Sequence, residues 1–122
     1  MSAKGIFQKI IDGDIPAERV YEDDNFLAFK DIAPKAPVHL LVIPKIFSPR
    51  LDEMLDAQGP EDVGALVEAA VKTARANGLW DYRLVVNVGP GAGQEVFHTH
   101  VHILAGWRVG EDASAGFGGQ TI

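Results

Sequence analysis

The sequence predicts an α+β sandwich in which one principal helix lies over one face of a largely antiparallel sheet. Three observations predict it. One long helical pattern, opened by Pro60 and closed by Gly78, stands alone near the middle of the chain. Short apolar runs of extended character precede and follow it. The last two of these runs are joined by a short Gly-rich loop, which suits an antiparallel hairpin better than a parallel crossover.

Size and charge set the frame for that fold. The chain has 122 residues and 13.1 kDa, the size of one domain, and 47% of its residues are hydrophobic. Area scaling takes an unfolded surface of ~19,000 Å² to a folded one of ~6,400 Å², enough burial for a core without staples. A single domain is expected over 1–122, with its core at about 5–106 and a tail from 107 that continues the glycine-rich composition of Gly106–Ile122. There is no cysteine, so disulfides, thiolate metal sites and thiol nucleophiles are excluded. The net charge of −6 argues against a nucleic-acid polymer as partner. No apolar run reaches the ~20 residues of a membrane span, and no signal peptide is visible; the expectation is a cytoplasmic protein with no membrane partner.

Charge is also unevenly placed. Residues 1–31 carry 4 basic and 7 acidic side chains, and residues 51–82 carry 2 and 7. Between them, residues 32–50 carry Lys35, Lys45 and Arg50 and no acid. From Leu84 to Trp107 the one charged side chain is Glu95. Acidic runs read as solvated faces; the uncharged stretch holds three of the four histidines.

Taken in order, Ile6, Phe7, Ile10 and Ile11 recur at helical spacing and Gly13 ends a short amphipathic helix. Val20–Glu22 and Phe26–Asp31 flank the turn-forming Asp23-Asp24-Asn25 and predict a hairpin. Val38–Ile43 predicts a strand stopped by Pro44. Ser48-Pro49 reads as an N-cap with proline in the first helical position, opening a short helix towards Leu55. In the long helix, Val63, Leu66, Val67, Ala70, Val71 and Ala74 form an apolar stripe. Glu61 and Asp62 at its start and Lys72 and Arg75 near its end suit the helix dipole. Tyr82–Asn87 and Val96–Leu104 are the final two strands, with Gly89–Gly93 between them.

The chemistry lies in Phe97-His98-Thr99-His100-Val101-His102-Ile103-Leu104. On a continuous strand His98, His100 and His102 share one face, open to a cleft or to solvent, while Phe97, Thr99, Val101 and Ile103 pack on the helix. His39 interrupts an otherwise apolar strand and needs a partner for a ring nitrogen; if its strand neighbours the last one, all four histidines converge. Asn87-Val88-Gly89-Pro90-Gly91-Ala92-Gly93-Gln94-Glu95, just before the triplet, suggests an anion-binding nest of backbone N–H groups. Two chemistries fit. A neutral imidazole can attack phosphorus with a second histidine as acid, or the histidines can hold a catalytic zinc. The zinc alternative is the weaker, because Glu95 is the one carboxylate nearby in sequence.

His98-Thr99-His100-Val101-His102-Ile103-Leu104 resembles the motif of the histidine triad (HIT) superfamily. Ile6–Ala17, Val20–Asp23, Ala28–Ile32, His39–Lys45, Val86–Gly89 and Gly93–Phe97 resemble its Hint-like branch, over about residues 5–106. The resemblance implies a five-stranded antiparallel sheet with one main and one short N-terminal helix, paired into a two-fold dimer. It implies hydrolysis of purine nucleoside 5′-phosphoramidates, with no cofactor and no metal. Carried over by position, His100 would be the nucleophile, and His102 would contact the α-phosphate and help protonate the leaving amine. His39 would orient His100, and His98 would complete the network. Asn87, Gly93, Glu95 and Val96 would line the phosphate site, Asp31 would hold the ribose, and Phe7, Ile10, Ile32 and Leu41 would wall the base. The chain departs from the family pattern at Ile46-Phe47-Ser48, where relatives carry a further histidine, at Ala105-Gly106-Trp107, and in its longer tail. These departures bear on the leaving group. A nucleotide-binding adaptor with incidental hydrolysis and a dinucleoside polyphosphate hydrolase are the competing functions.

Overall fold

The structure is a computed structural model that describes residues 5–111. The tail expected to continue to Ile122 lies outside the described residues beyond Glu111. The elements run in the order α1 (Ile6–Ile11), β1 (Arg19–Glu22), β2 (Phe26–Lys30), β3 (Val38–Pro44), α2 (Leu51–Gln58), α3 (Pro60–Ala76), β4 (Tyr82–Val85) and β5 (Val101–Ala105). The five strands form one sheet ordered β1-β2-β3-β5-β4, and every pairing is antiparallel. This is the expected α+β sheet with its principal helix and short N-terminal helix, and α2 makes a third.

Side-chain alternation divides the sheet into two faces. Phe26 and Ala28 of β2, Leu40 and Val42 of β3, and Val101 and Ile103 of β5 pack with Leu66, Ala69 and Ala70 of α3 and Met54 of α2. On the opposite face, Leu27, Phe29, Leu41 and Ile43 pack with Phe7 and Ile10 of α1. Helix α3 begins at Pro60 and is followed by Gly78 at φ +71°, the left-handed conformation in which a helix commonly ends. Its buried face is Leu66, Ala69, Ala70, Thr73 and Ala74. Val67, expected in the apolar stripe, is instead 46% exposed. Thr73 takes a place in the core because its hydroxyl donates to the Ala69 carbonyl at 2.8 Å.

Two sequence expectations are corrected. Ser48 does not cap α2: Arg50 is the N-cap residue and makes no side-chain cap bond. The Ser48 hydroxyl meets that of Thr99 at 2.9 Å, and the Ser48 carbonyl accepts the Thr99 N–H at 2.8 Å. That pairing also explains the second correction. The final strand begins at Val101 rather than Val96, because residues 96–100 leave the sheet ladder and Thr99 is tied to the β3–α2 connection. Similarly β4 ends at Val85, and Pro90–Ala92 form a turn of 3₁₀ helix. Among the described residues no helix is long and apolar enough to cross a membrane.

Candidate functional site

Strand β3 lies beside β5 with Leu41 opposite His102 and His39 opposite Leu104. This register puts His39 and His102 on the α1 side of the sheet, and all four histidines converge there. All are buried, at 3% (His39), 3% (His98), 6% (His100) and 9% (His102) exposure, whereas the triplet was expected to be exposed to a cleft or to solvent. Strand alternation places His102 alone of the triplet, since His98 and His100 precede β5. Those two are gathered by hydrogen bonds to the backbone and by the ring of Phe7. The Phe7 ring meets His100 edge-on at 5.2 Å and His98 at 5.9 Å. The His100 and His102 rings are 4.9 Å apart.

The backbone fixes which nitrogen of each neutral ring carries the proton. His39 Nδ1 accepts the Lys35 N–H at 3.0 Å, so its proton resides on Nε2. That Nε2–H donates to His102 Nδ1 at 2.9 Å, which leaves the His102 proton on Nε2. His100 Nδ1–H donates to the His98 carbonyl at 2.7 Å, so His100 Nε2 bears an unshared pair. His98 Nε2–H donates to the Pro44 carbonyl at 2.8 Å, anchoring that ring to the end of β3. The site therefore holds an imidazole with a free lone pair beside an imidazole with an N–H. Burial holds the pKa of all four rings below the usual imidazole value and pushes His102 down to about 3, with His100, His39 and Lys35 adding to the His102 shift. All four are neutral at pH 7.

One expectation about this network is revised. His39 was expected to orient His100; it is hydrogen-bonded to His102, and the His98 carbonyl orients His100. Glu95, the one carboxylate nearby in sequence, is exposed, and the acid that reaches the histidines comes from elsewhere in the chain, as Asp31. Asp31 follows β2, donates its N–H to the His39 carbonyl at 3.0 Å, and accepts the Ala33 N–H on Oδ1 at 2.8 Å. That turn aims Oδ2 at His39 Nε2, 3.5 Å away.

Asp31, His39 and His102 offer ligand atoms within 4.8 Å of one another, a grouping that could hold a metal by distance. The chemistry does not suit it. With His39 Nδ1 occupied by the Lys35 N–H, the neutral ring has its proton on the nitrogen a cation would need.

The Gly-rich loop is more self-contained than a nest. The N–H groups of Ala92 and Gln94 both bond the Gly89 carbonyl, that of Gly93 bonds Pro90, and that of Gly89 bonds the Gln94 side chain at 2.8 Å. Gln94 is buried and also donates to the Pro49 and Val96 carbonyls, so it holds the loop in place. Gly93 has φ +92°, and a Cβ there would lie 4.0 Å from the Asn87 amide nitrogen. Asn87 and Val96 are half-buried. Phe7, Ile10 and Leu41 are buried in the α1-side core, whereas Ile32 is 94% exposed. Sequence reasoning missed the Lys35 amide, the Phe29 ring 5.5 Å from Phe7, and the structural roles of Gln94 and Thr99. A main-chain donor leaves no trace in residue identity. Phe47 rests its half-exposed ring 5.4 Å from His98.

The family model described as HIT domain matches residues 12–109. The chain is 40% identical over 112 residues to the purine nucleoside phosphoramidase of Escherichia coli K12, covering 90% of this chain and 93% of that one. It is similar in structure to a HIT family hydrolase from Legionella pneumophila, with TM-score 0.79, 45% identity, and 86% and 95% coverage of the two chains. A histidine triad protein from Clostridium difficile superposes with TM-score 0.81 at 39% identity, covering 92% and 99%. A family match over residues 12–109, together with the 40% identity to a relative covered nearly end to end, establishes that the chain belongs to the HIT family.

Proposed function

We propose that the protein hydrolyses the P–N bond of purine nucleoside 5′-phosphoramidates through a nucleotidyl-histidine intermediate. The observation that carries this reading is the tautomer pattern: His100 Nε2 holds a lone pair beside His102, whose proton is on Nε2. His100 Nε2 attacks the α-phosphorus, a P–N bond to imidazole forms, and the bond to the amine breaks as His102, which has taken a proton from solvent on Nδ1, delivers its Nε2 proton to the departing nitrogen. Water then attacks phosphorus, gives a proton to His102, and releases the nucleoside monophosphate and free His100. The lowered pKa of His100 keeps its lone pair available at pH 7. His98 braces the site through Pro44.

The phosphate site draws on Asn87, Gly93 and the backbone of Glu95 and Val96, beyond the closed turn. Asp31 holds the ribose hydroxyls, and Phe7, Ile10, Ile32 and Leu41 wall the base. The protein works as a cytoplasmic homodimer without metal or cofactor, joined along β4. Support for that edge comes from the position of β4 at the sheet margin, from Trp80 at 82% exposure just before it, and from Arg83. The Arg83 Nη1 is buried without a hydrogen-bond partner among the described residues.

Turnover of a fluorogenic adenosine phosphoramidate, set beside a dinucleoside polyphosphate and beside plain nucleotide affinity, tests the reading. Rapid phosphoramidate cleavage is expected. Tight nucleotide binding without turnover would favour the adaptor, and faster cleavage of the polyphosphate would favour that hydrolase.

A further inference from the structure

The proton count at the histidine pair falls one short for an acid step, and Asp31 is placed to stabilise the pair when it takes up another proton. In their neutral forms, His39 and His102 hold two protons between them, one on His39 Nε2 and one on His102 Nε2. If His102 gave its proton away from this state, the neighbouring proton could refill it only by leaving His39 an imidazolate in a buried site, which is prohibitively unfavourable. An acid step therefore needs a third proton on the pair, and the pair then carries a positive charge. His39 Nδ1 cannot take it, because the Lys35 N–H points at that atom. The proton must go to His102 Nδ1, and the His39 Nε2–H, 2.9 Å away, must then find another acceptor.

We infer that Asp31 is the counter-ion of the His39–His102 pair, the positioning residue that accepts the displaced His39 N–H and lets the pair hold a third proton. Its Oδ2 is 3.5 Å from His39 Nε2, and the three ligand atoms of Asp31, His39 and His102 all fall within 4.8 Å. The Ala33 N–H pins the other oxygen, so the carboxylate is held in this direction by its own turn. The Asp31 side chain is 18% exposed and that of His39 is 0%, which weakens solvent screening of the charge. Asp31 acts to raise the pKa of His39 and of His100, against burial and against the Lys35 charge felt by His39 and His102. The groups facing the pair are Asp31 after β2, Lys35 before β3, and His100 before β5.

The cycle then balances. The third proton comes from solvent and sits on His102 Nδ1. His102 Nε2–H goes to the departing amine, leaving the pair neutral with a lone pair on Nε2. That lone pair takes a proton from the attacking water, and the pair returns its extra proton to solvent as the product leaves, which restores the neutral resting state. Asp31 thus lets one imidazole serve as acid and then as base. The role in turnover rests on the phosphoramidase reading; the protonation of the pair does not.

Asp31→Asn removes the charge and keeps an oxygen for Ala33. In nitrogen-detected NMR titrations, the midpoint for protonation of His39 and His102 is expected to fall by about one unit or more in the variant, since a carboxylate at this distance favours the cation. An unchanged midpoint would overturn the inference, whether or not the protein cleaves phosphoramidates. In kinetics, the alkaline limb of kcat/KM is expected to move to lower pH for the variant, both on an adenosine phosphoramidate and on its 2′,3′-dideoxy analogue. A change confined to KM, and absent with the dideoxy analogue, would make Asp31 a ribose ligand alone. Asp31→Glu should restore the limb towards its original position. If Asp31→Asn does not fold, the Asp31 carboxyl carbon of the unaltered protein serves: its shift should move in step with the two imidazoles, and independence would refute the coupling. A wild-type protein with no turnover would sink the phosphoramidase reading and leave the NMR result to judge the pair.

Discussion

Strands β3 and β5 present two faces that differ in kind although they share one backbone. On the α3 side, Leu40, Val42, Val101 and Ile103 meet a helix, and no polar atom needs a partner. On the α1 side, His39 and His102 alternate with them and carry ring nitrogens that burial would penalise if left unpaired. The difference teaches how a small sheet accommodates imidazoles in its interior. The rings are tied to main-chain groups at Lys35, Pro44 and His98, so burial strips away charge without orphaning the anchored nitrogens. One face supplies stability, and the other supplies chemistry from neutral rings of fixed tautomer.

That contrast can be broken from either side, and the largest effect is expected on the histidine face. Replacing the proposed nucleophile, His100→Asn, should lower phosphoramidate turnover by at least about a thousandfold while cooperative unfolding in urea persists. Full turnover by this variant would remove His100 from the mechanism. The helix face should respond in the opposite sense. Leu66→Ala opens a cavity under α3 and should cost about 3 kcal/mol in urea unfolding, with activity per folded molecule unchanged. A loss of turnover at full occupancy of the folded state would show that the two faces are not separable.

Acid should sharpen the comparison further. All four imidazoles have folded pKa values below the ordinary 6.5. The unfolded chain therefore binds more protons, and stability present above about pH 6.5 is lost as pH falls towards the folded values. The urea midpoint should drop between pH 7.5 and pH 5, and less steeply in His102→Asn, which has one imidazole fewer to protonate. An equal slope in both proteins would place the acid sensitivity elsewhere. The smallest effect belongs to the outer side of α3. Val67→Ser, at a position 46% exposed, should change unfolding free energy by less than about 0.5 kcal/mol. A cost near that of Leu66→Ala would mean that Val67 is covered in solution.

Much of this organisation is legible in residue order. The hairpin around Asp23-Asp24-Asn25 and the helix from Pro60 to its glycine stop follow from local turn and cap chemistry, and β1, β2 and α3 form there. The extent of β5 was less legible. Val96–His100 has the alternation of a strand, but Thr99 bonds Ser48, a residue 51 positions away, and the ladder starts at Val101. The same contact diverts Ser48 from the helix cap that Ser-Pro suggests. Asp31, assigned to the site by resemblance alone and to the ribose, shows the limit of what residue order tells about the histidine network. Its distance from the triplet in sequence concealed that β2 and β3 pair, which brings it to His39.

By itself, the sequence determined the period and chemistry of the parts. Without cysteine the candidate nucleophilic and basic groups are imidazoles, and a period of two along β3 and β5 sends His39 and His102 to the face away from Val42 and Val101. Tertiary structure decided the protonation pattern. Which nitrogen bears the proton depends on a Lys35 amide, a Pro44 carbonyl and a His98 carbonyl, main-chain groups that every sequence possesses and that the fold alone can aim. It also decided the charge of the site, because imidazoles stay neutral there through burial, and burial is a property of the packed whole.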